Sequence, residues 1–138
     1  MKGLDISSYQ FGINFDAIKN AGINFLILRA GFTGWGTGVN YNKDKSFEHF
    51  YNQSKSHNIP VGAYWYSCAN TYQKGVNEAN YMYENCLKGK QFEYPIYIDV
   101  EDSHHQIKSN YFLIVFDTLQ TIPLQSFHFP QTHNNLTF

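Results

Sequence analysis

Apolar residues along this chain fall into two alternating patterns. Short, nearly unbroken apolar runs occupy residues 3–6, 25–30, 59–66 and 96–100. Between them, apolar residues recur at three- and four-residue spacing. Phe15, Ile18 and Ala21 do so after 14–20 begins, Phe47, Phe50, Tyr51 and Ser54 within 43–57, and Val76, Ala79, Tyr83 and Cys86 within 73–87. Unbroken runs of this length predict strands covered on both faces, and the spaced pattern predicts amphipathic helices. Gly22 supplies a stop for the first helix, and residues 31–38 form a glycine-rich loop after the second strand. The order is β-α-β-α-β-α-β, which calls for a parallel sheet with right-handed crossovers, either open and doubly wound or part of a barrel. No Gly-x-Gly-x-x-Gly follows the first strand and no Walker loop occurs, which argues against a nucleotide fold.

The polar positions gather at one end of these strands. Asp5 closes the first, Arg29 the second, Tyr64 and Tyr66 the third, Asp99 and Glu101 the fourth. In parallel α/β architectures the C-terminal strand ends form the functional face. Residues two apart on a strand share a side, so Asp99 and Glu101 project together and Val100 projects away. Asp5 approaches the same mouth. Three converging carboxylates repel one another, which holds a proton on at least one near neutral pH. A protonated acid beside an ionised partner is the arrangement that cleaves a glycosidic bond. Two other readings fit the pair alone. The acids could end a strand and pair with Lys or Arg, or they could hold Mg²⁺ or Ca²⁺ through oxygen ligands, as in a metal-dependent phosphodiesterase. The latter wants a basic phosphate clamp, for which Arg29 is the one candidate. His104 and His105 point in opposite directions on an extended chain and read as loop residues.

Composition narrows the classes. The chain has 138 residues, the size of one domain, with 43% hydrophobic residues, enough for a packed core. A net charge of −1 provides no field favouring nucleic acid or an anionic membrane. No apolar run of about 18 residues occurs to span a bilayer, and Met1-Lys2-Gly3-Leu4-Asp5 lacks the apolar core of a signal peptide. Aromatic residues reach 18%, including 11 Tyr and 12 Phe, which suits a Tyr-rich core or a cleft with rings for stacking on sugars or bases. Cys68 and Cys86 have no metal-ligand spacing and read as buried free thiols.

Three stretches carry a resemblance: "KGLDISSYQFGINFDAIKNAGINFLILRAGF", "IPVGAYWYSCA" and "EANYMYENCLKGKQFEYPIYIDVED". The Asp-Ile-Ser-Ser-x-Gln start, the Ile-Leu-Arg-Ala-Gly strand, the Gly-x-Tyr strand and the Asp-x-Glu strand occur in order. Together they resemble the glycoside hydrolase family 25 lysozymes, N-acetylmuramidases of bacterial and phage type. The resemblance implies an irregular (β/α) TIM-like barrel. It implies hydrolysis of the β-1,4 bond between N-acetylmuramic acid and N-acetylglucosamine in peptidoglycan. By motif, Glu101 is the general acid and Asp99 the second carboxylate, acting as nucleophile or orienting the substrate's 2-acetamido group. Asp5 tunes the charge of the site. Tyr64 is the ring at the end of the third strand, and Tyr66, Trp65 and Arg29 are further substrate contacts. No metal or other cofactor is implied. The partner is the peptidoglycan glycan strand, met outside the cell or at the wall, with release by lysis or a phage route in place of a signal peptide.

The motifs end near Gln106. Residues 107–138 do not continue them, so the expectation is an N-terminal barrel portion over 1–106, truncated after the fourth strand by truncation or frameshift, with a tail in which 111–119 reads as a helix. A barrel of about 250 residues is the usual size. A non-catalytic glycan-binding fragment or remnant is therefore the alternative function.

Overall fold

A computed structural model describes residues 1–34 and 39–100. Glu101, His104, His105, Asp117 and the helix expected over 111–119 lie outside the described residues. So does part of the glycine-rich loop. The described chain runs β1 (Gly3–Ile6), α1 (Phe15–Asn20), β2 (Phe25–Thr33), β3 (Tyr41–Lys43), α2 (Phe47–Ser56), β4 (Val61–Tyr66), α3 (Tyr72–Met82) and β5 (Ile96–Asp99). The sheet order is β1-β2-β4-β5, with β3 added to β2. The three pairings along this path are all parallel, as the alternation predicts.

One face of the sheet carries the core. Ile6, Leu26, Leu28, Ala30, Val61, Ala63, Trp65 and Ile96 are buried, packed with Phe15 and Ile18 of α1, Phe47 and Phe50 of α2, and Ala79 and Met82 of α3. Alternation puts Asp5, Ile27, Arg29, Gly62, Tyr64, Tyr66, Tyr97 and Asp99 on the opposite, inner face. Register aligns them in rows: Asp5 beside Ile27, Ile27 beside Gly62, Arg29 beside Tyr64, Tyr64 beside Tyr97, and Tyr66 beside Asp99. Gly62 is what lets the chain entering β5 close on β4. A Cβ there would meet the Pro95 carbonyl oxygen at 2.6 Å and the Ile27 Cδ1 at 2.8 Å.

Several elements differ from the sequence expectation, each for a packing reason. β2 runs on past the end of β1, and the edge so exposed takes β3 as an antiparallel partner, Gly31 with Lys43 and Thr33 with Tyr41. The helix expected from 43 therefore starts at Phe47. The third helix is regular only to Met82; residues 83–87 widen into a π turn in which the Lys88 N–H donates to the Tyr83 carbonyl at 2.9 Å. Its buried stripe is Gly75, Glu78, Ala79 and Met82, so Val76 and Tyr83 are only half-buried. Ala21 is exposed, because the helix has already ended and Gly22 turns away at φ +73°. Cys68 and Cys86 are buried free thiols. Burial pushes the Cys86 thiol up to about 11, and its S–H points at the Ala30 carbonyl, 3.5 Å away.

Candidate active site

Asp5, Ile27, Tyr64, Tyr97, Ile98 and Asp99 line one open cavity of about 340 Å3 on the inner face. Strand alternation and register thus bring together three of the residues singled out in the sequence, Asp5, Tyr64 and Asp99, from three different strands. Asp5 is exposed, and its side chain makes no hydrogen bond among the described residues. Asp99 closes β5, and its carbonyl accepts the Ser67 N–H at 2.8 Å, which ties the end of β5 to the chain leaving β4. Tyr64 stands between the two acids. Burial raises its phenol above the ordinary range; Arg29 opposes this, and Asp5, Asp99 and Asp44 add to it. At neutral pH Tyr64 is therefore a protonated ring with an O–H to donate, set in a negative field.

The Asp-Ile-Ser-Ser-x-Gln motif folds as a single 3-10 turn after β1. Ser7 caps the turn, and its N–H donates to the Gln10 Oε1 at 2.9 Å. The turn presents Ser8 to Arg29 and Asp44. The Arg29 Nε donates to Asp44 Oδ2 at 2.8 Å, its Nη2 reaches the same carboxylate at 2.8 Å and donates to Ser8 Oγ at 3.1 Å, and the Ser8 N–H donates to Asp44 Oδ2 at 3.0 Å. The Ser46 N–H donates to Asp44 Oδ1 at 2.8 Å. The Asp44 side chain is wholly buried, so removing Arg29 would strand a buried charge. The sequence reading missed Asp44, which sits among polar residues before a helix. Its signal was position: an Asp three residues ahead of an amphipathic stretch, where such residues turn the chain.

Arg29, Tyr66, Ser8, Tyr9, Phe32 and Lys45 are among the residues lining a second, larger cavity of about 620 Å3 on the side of β2 and β3. The structure thus divides the expected contacts. Tyr64 faces the acids, whereas Tyr66 and Arg29 face this neighbouring space.

Trp65 does not belong to either cavity. It is fully buried on the helix-covered face and its Nε1–H donates to Thr33 Oγ1 at 3.0 Å. An odd-numbered position on β4 points away from Tyr64 and Tyr66, so the expectation of sugar contact by Trp65 is corrected to a core role. Beneath it lies a second residue the sequence reading missed. Glu78, 1% exposed, accepts from Thr33 Oγ1 at 2.5 Å, Ser67 Oγ at 2.5 Å and the Cys68 N–H at 3.2 Å. It joins the ends of β2 and β4 to α3. Its signal was the spacing Gly75, Glu78, Ala79, Met82, which places a carboxylate on the buried stripe. Among the described residues no group of three or more His, Cys, Asp or Glu is arranged to hold a metal ion.

The chain matches Glycosyl hydrolases family 25 over residues 4–122. It is 32% identical over 114 residues to the Autolytic lysozyme of Clostridium acetobutylicum, covering 80% of this chain and 32% of that protein. It is 32% identical over 85 residues to Lysozyme M1 of Streptomyces globisporus, covering 62% of this chain and 26% of that protein. Its fold resembles the catalytic domain of the endolysin from bacteriophage P40 of Listeria monocytogenes, with a TM-score of 0.69, 22% identity, and coverage of 86% of this chain and 56% of that one. The chain thus spans about a third or less of the length of these two curated relatives. It belongs to glycosyl hydrolase family 25.

Proposed function

We propose that this chain is the N-terminal part of a peptidoglycan-cleaving muramidase, hydrolysing the β-1,4 bond between N-acetylmuramic acid and N-acetylglucosamine. The observation that carries this is the meeting of Asp5, Tyr64 and Asp99 in one cavity at the C-terminal ends of parallel strands, in a family 25 chain. In this reading the parallel strands are the first part of a TIM-like barrel, and the cavity is part of its catalytic mouth.

Glu101 is the general acid and Asp99 the second carboxylate. Asp99 then attacks the anomeric carbon directly or orients the substrate's 2-acetamido oxygen to do so, while Glu101 protonates the leaving oxygen. Asp5 adds negative charge that favours a developing oxocarbenium ion. Tyr64 donates its phenolic hydrogen to the sugar or to Asp99. The names of the matched relatives, an autolytic lysozyme and a phage endolysin among them, support action at the cell wall. Among the described residues no helix is long and apolar enough to cross a membrane.

The test is release of reducing ends from a peptidoglycan suspension by purified, folded protein alongside Glu101→Gln. Release by the parent and not by the variant is the expected result. Binding without release by either points instead to a glycan-binding fragment whose catalytic groove needs chain that is not here. If the folded protein shows no binding and no release, the reading is overturned.

A further inference from the structure

Asp99 stands at the end of a strand held from one side. Among the described strands β5 pairs with β4 alone, and its four residues end at Asp99. Past the Tyr66–Asp99 pair, the Ser67 N–H donates to the Asp99 carbonyl at 2.8 Å. The placement of Asp99 therefore depends on the placement of Ser67. Ser67 lies one residue beyond β4 and is wholly buried. Its hydroxyl donates to Glu78 Oε2 at 2.5 Å and accepts the Ala69 N–H at 3.2 Å, while the next residue's N–H, that of Cys68, donates to Glu78 Oε1 at 3.2 Å. Resting on the muramidase reading for what Asp99 does, we propose that Glu78 is a positioning residue, which acts through Ser67 from the helix-covered side of the sheet to fix Asp99 at the catalytic mouth.

Three features support this. First, a carboxylate is a costly way to fill a core. Glu78 is 1% exposed and shares its buried stripe with Gly75, Ala79 and Met82, where an apolar side chain would pack without loss of hydration. Its charge is felt nearby: the Tyr41 phenol is raised first by burial and then by Glu78. Second, an ionised carboxylate only accepts, so the hydroxyls of Thr33 and Ser67 both direct their protons at it. Each hydroxyl oxygen then has lone pairs for a fixed donor, the Trp65 Nε1–H at Thr33 and the Ala69 N–H at Ser67. A network with one proton arrangement holds its members in one geometry. Third, the network spans the strand ends that form the mouth. Thr33 ends β2, Ser67 follows β4, and the Ser67 N–H reaches the last residue of β5. A shift of about 1 Å in a reacting group costs roughly a hundredfold in rate, so a strand end held from one side has reason to be braced from behind.

The test compares the two arms of the network in the intact chain. Glu78→Gln removes the acceptor. Ser67→Ala cuts the arm that leads to β5 and keeps the backbone N–H. Thr33→Val cuts the other arm and serves as the control for lost core support. Two NMR signals report on Asp99 without substrate: the scalar coupling across the hydrogen bond from the Ser67 N–H to the Asp99 carbonyl, and the titration of the Asp99 carboxyl carbon, which senses its distance from Asp5 and Tyr64. Denaturant midpoints record stability for each variant. The expected result is that Glu78→Gln and Ser67→Ala weaken the coupling and move the Asp99 titration, whereas Thr33→Val lowers the midpoint and leaves both signals in place. Where the parent releases reducing ends, Glu78→Gln should lower kcat roughly tenfold to a hundredfold with KM within about twofold. Should Glu78→Gln fail to fold, Ser67→Ala carries the same comparison. Asp99 signals unchanged in both Glu78→Gln and Ser67→Ala, or moved as far by Thr33→Val, overturn the inference and leave Glu78 a support of the core. A parent that neither binds nor cleaves glycan counts against the muramidase reading alone, because the Asp99 signals are read without substrate.

Discussion

The two faces of the same four parallel strands follow different rules. On the helix-covered face, Leu26, Leu28, Ala30, Val61, Ala63 and Trp65 are all at 0% exposure, filling one continuous core. On the inner face, Asp5 and Tyr97 are exposed and Ile27, Arg29, Tyr64, Tyr66 and Asp99 are partly so. Adjacent residues in one strand therefore answer to opposite demands, one to packing and the next to the proposed chemistry. Stability and activity should separate by residue parity along β4 and β5.

The largest effect should come from the inner face and be confined to activity. Asp99→Asn keeps the size of the side chain and removes its charge. If the full site is active, glycosidic cleavage should fall by about 10²–10⁴, the usual worth of a positioned acid or base. The thermal midpoint should barely move. A large loss of stability in this variant would break the division between the faces. Next comes Trp65→Ala, one strand over and on the other face. Emptying a wholly buried indole should destabilise by about 3–5 kcal/mol, read as a fall in the denaturant midpoint. Activity per folded molecule should change far less than in Asp99→Asn.

Glu78 tests where the division fails. It is buried with the core yet carries a carboxylate, and it holds Ser67, whose backbone N–H bonds the Asp99 carbonyl. Glu78→Gln replaces one acceptor oxygen with a donor facing hydroxyl groups that already donate. The expected cost is about 1–3 kcal/mol. Because Ser67 links the network to the end of β5, a fall in kcat with KM little changed should accompany it.

The helix-covered face was legible in the sequence because burial on both sides of a parallel sheet leaves continuous apolar runs. The meeting of Asp5, Tyr64 and Asp99 was legible too, since strand parity and the common C-terminal end suffice to place them. What escaped was set by tertiary contact. β3 has three residues, Tyr41, Asn42 and Lys43, with no apolar alternation, and is a strand only because β2 offers it an edge. Asp44 and Glu78 are polar residues that look solvated until Arg29, Thr33 and Ser67 are brought to them from elsewhere in the chain. Trp65 was misassigned because a ring beside two tyrosines drew the same reading as they did, although parity alone puts it on the other face.

The mildest contrast is between acids at the two ends of the strands. Glu93, before β5, accepts from Lys55 Nζ at 2.5 Å and from the Val61 N–H at 3.0 Å, at the end of β4 away from the cavity. Partial burial alone would raise its carboxyl, but the Lys55 and Val61 hydrogen bonds outweigh this and hold it below its ordinary 4.5. A carboxylate whose value is lowered by folding stabilises the fold above its unfolded value, and the gain disappears as pH falls through the folded value. With 46% of the Glu93 side chain exposed, the gain should be below about 1 kcal/mol. Glu93→Gln should therefore lower the denaturation midpoint slightly at pH 6–7 and match the parent near about pH 3. Asp5→Asn, at the opposite end and without a side-chain hydrogen-bond partner among the described residues, should leave stability within about 0.5 kcal/mol throughout. If Asp5→Asn proves the more damaging to stability, the mouth of the sheet contributes to the fold and the assignment of its acids to chemistry loses its main support.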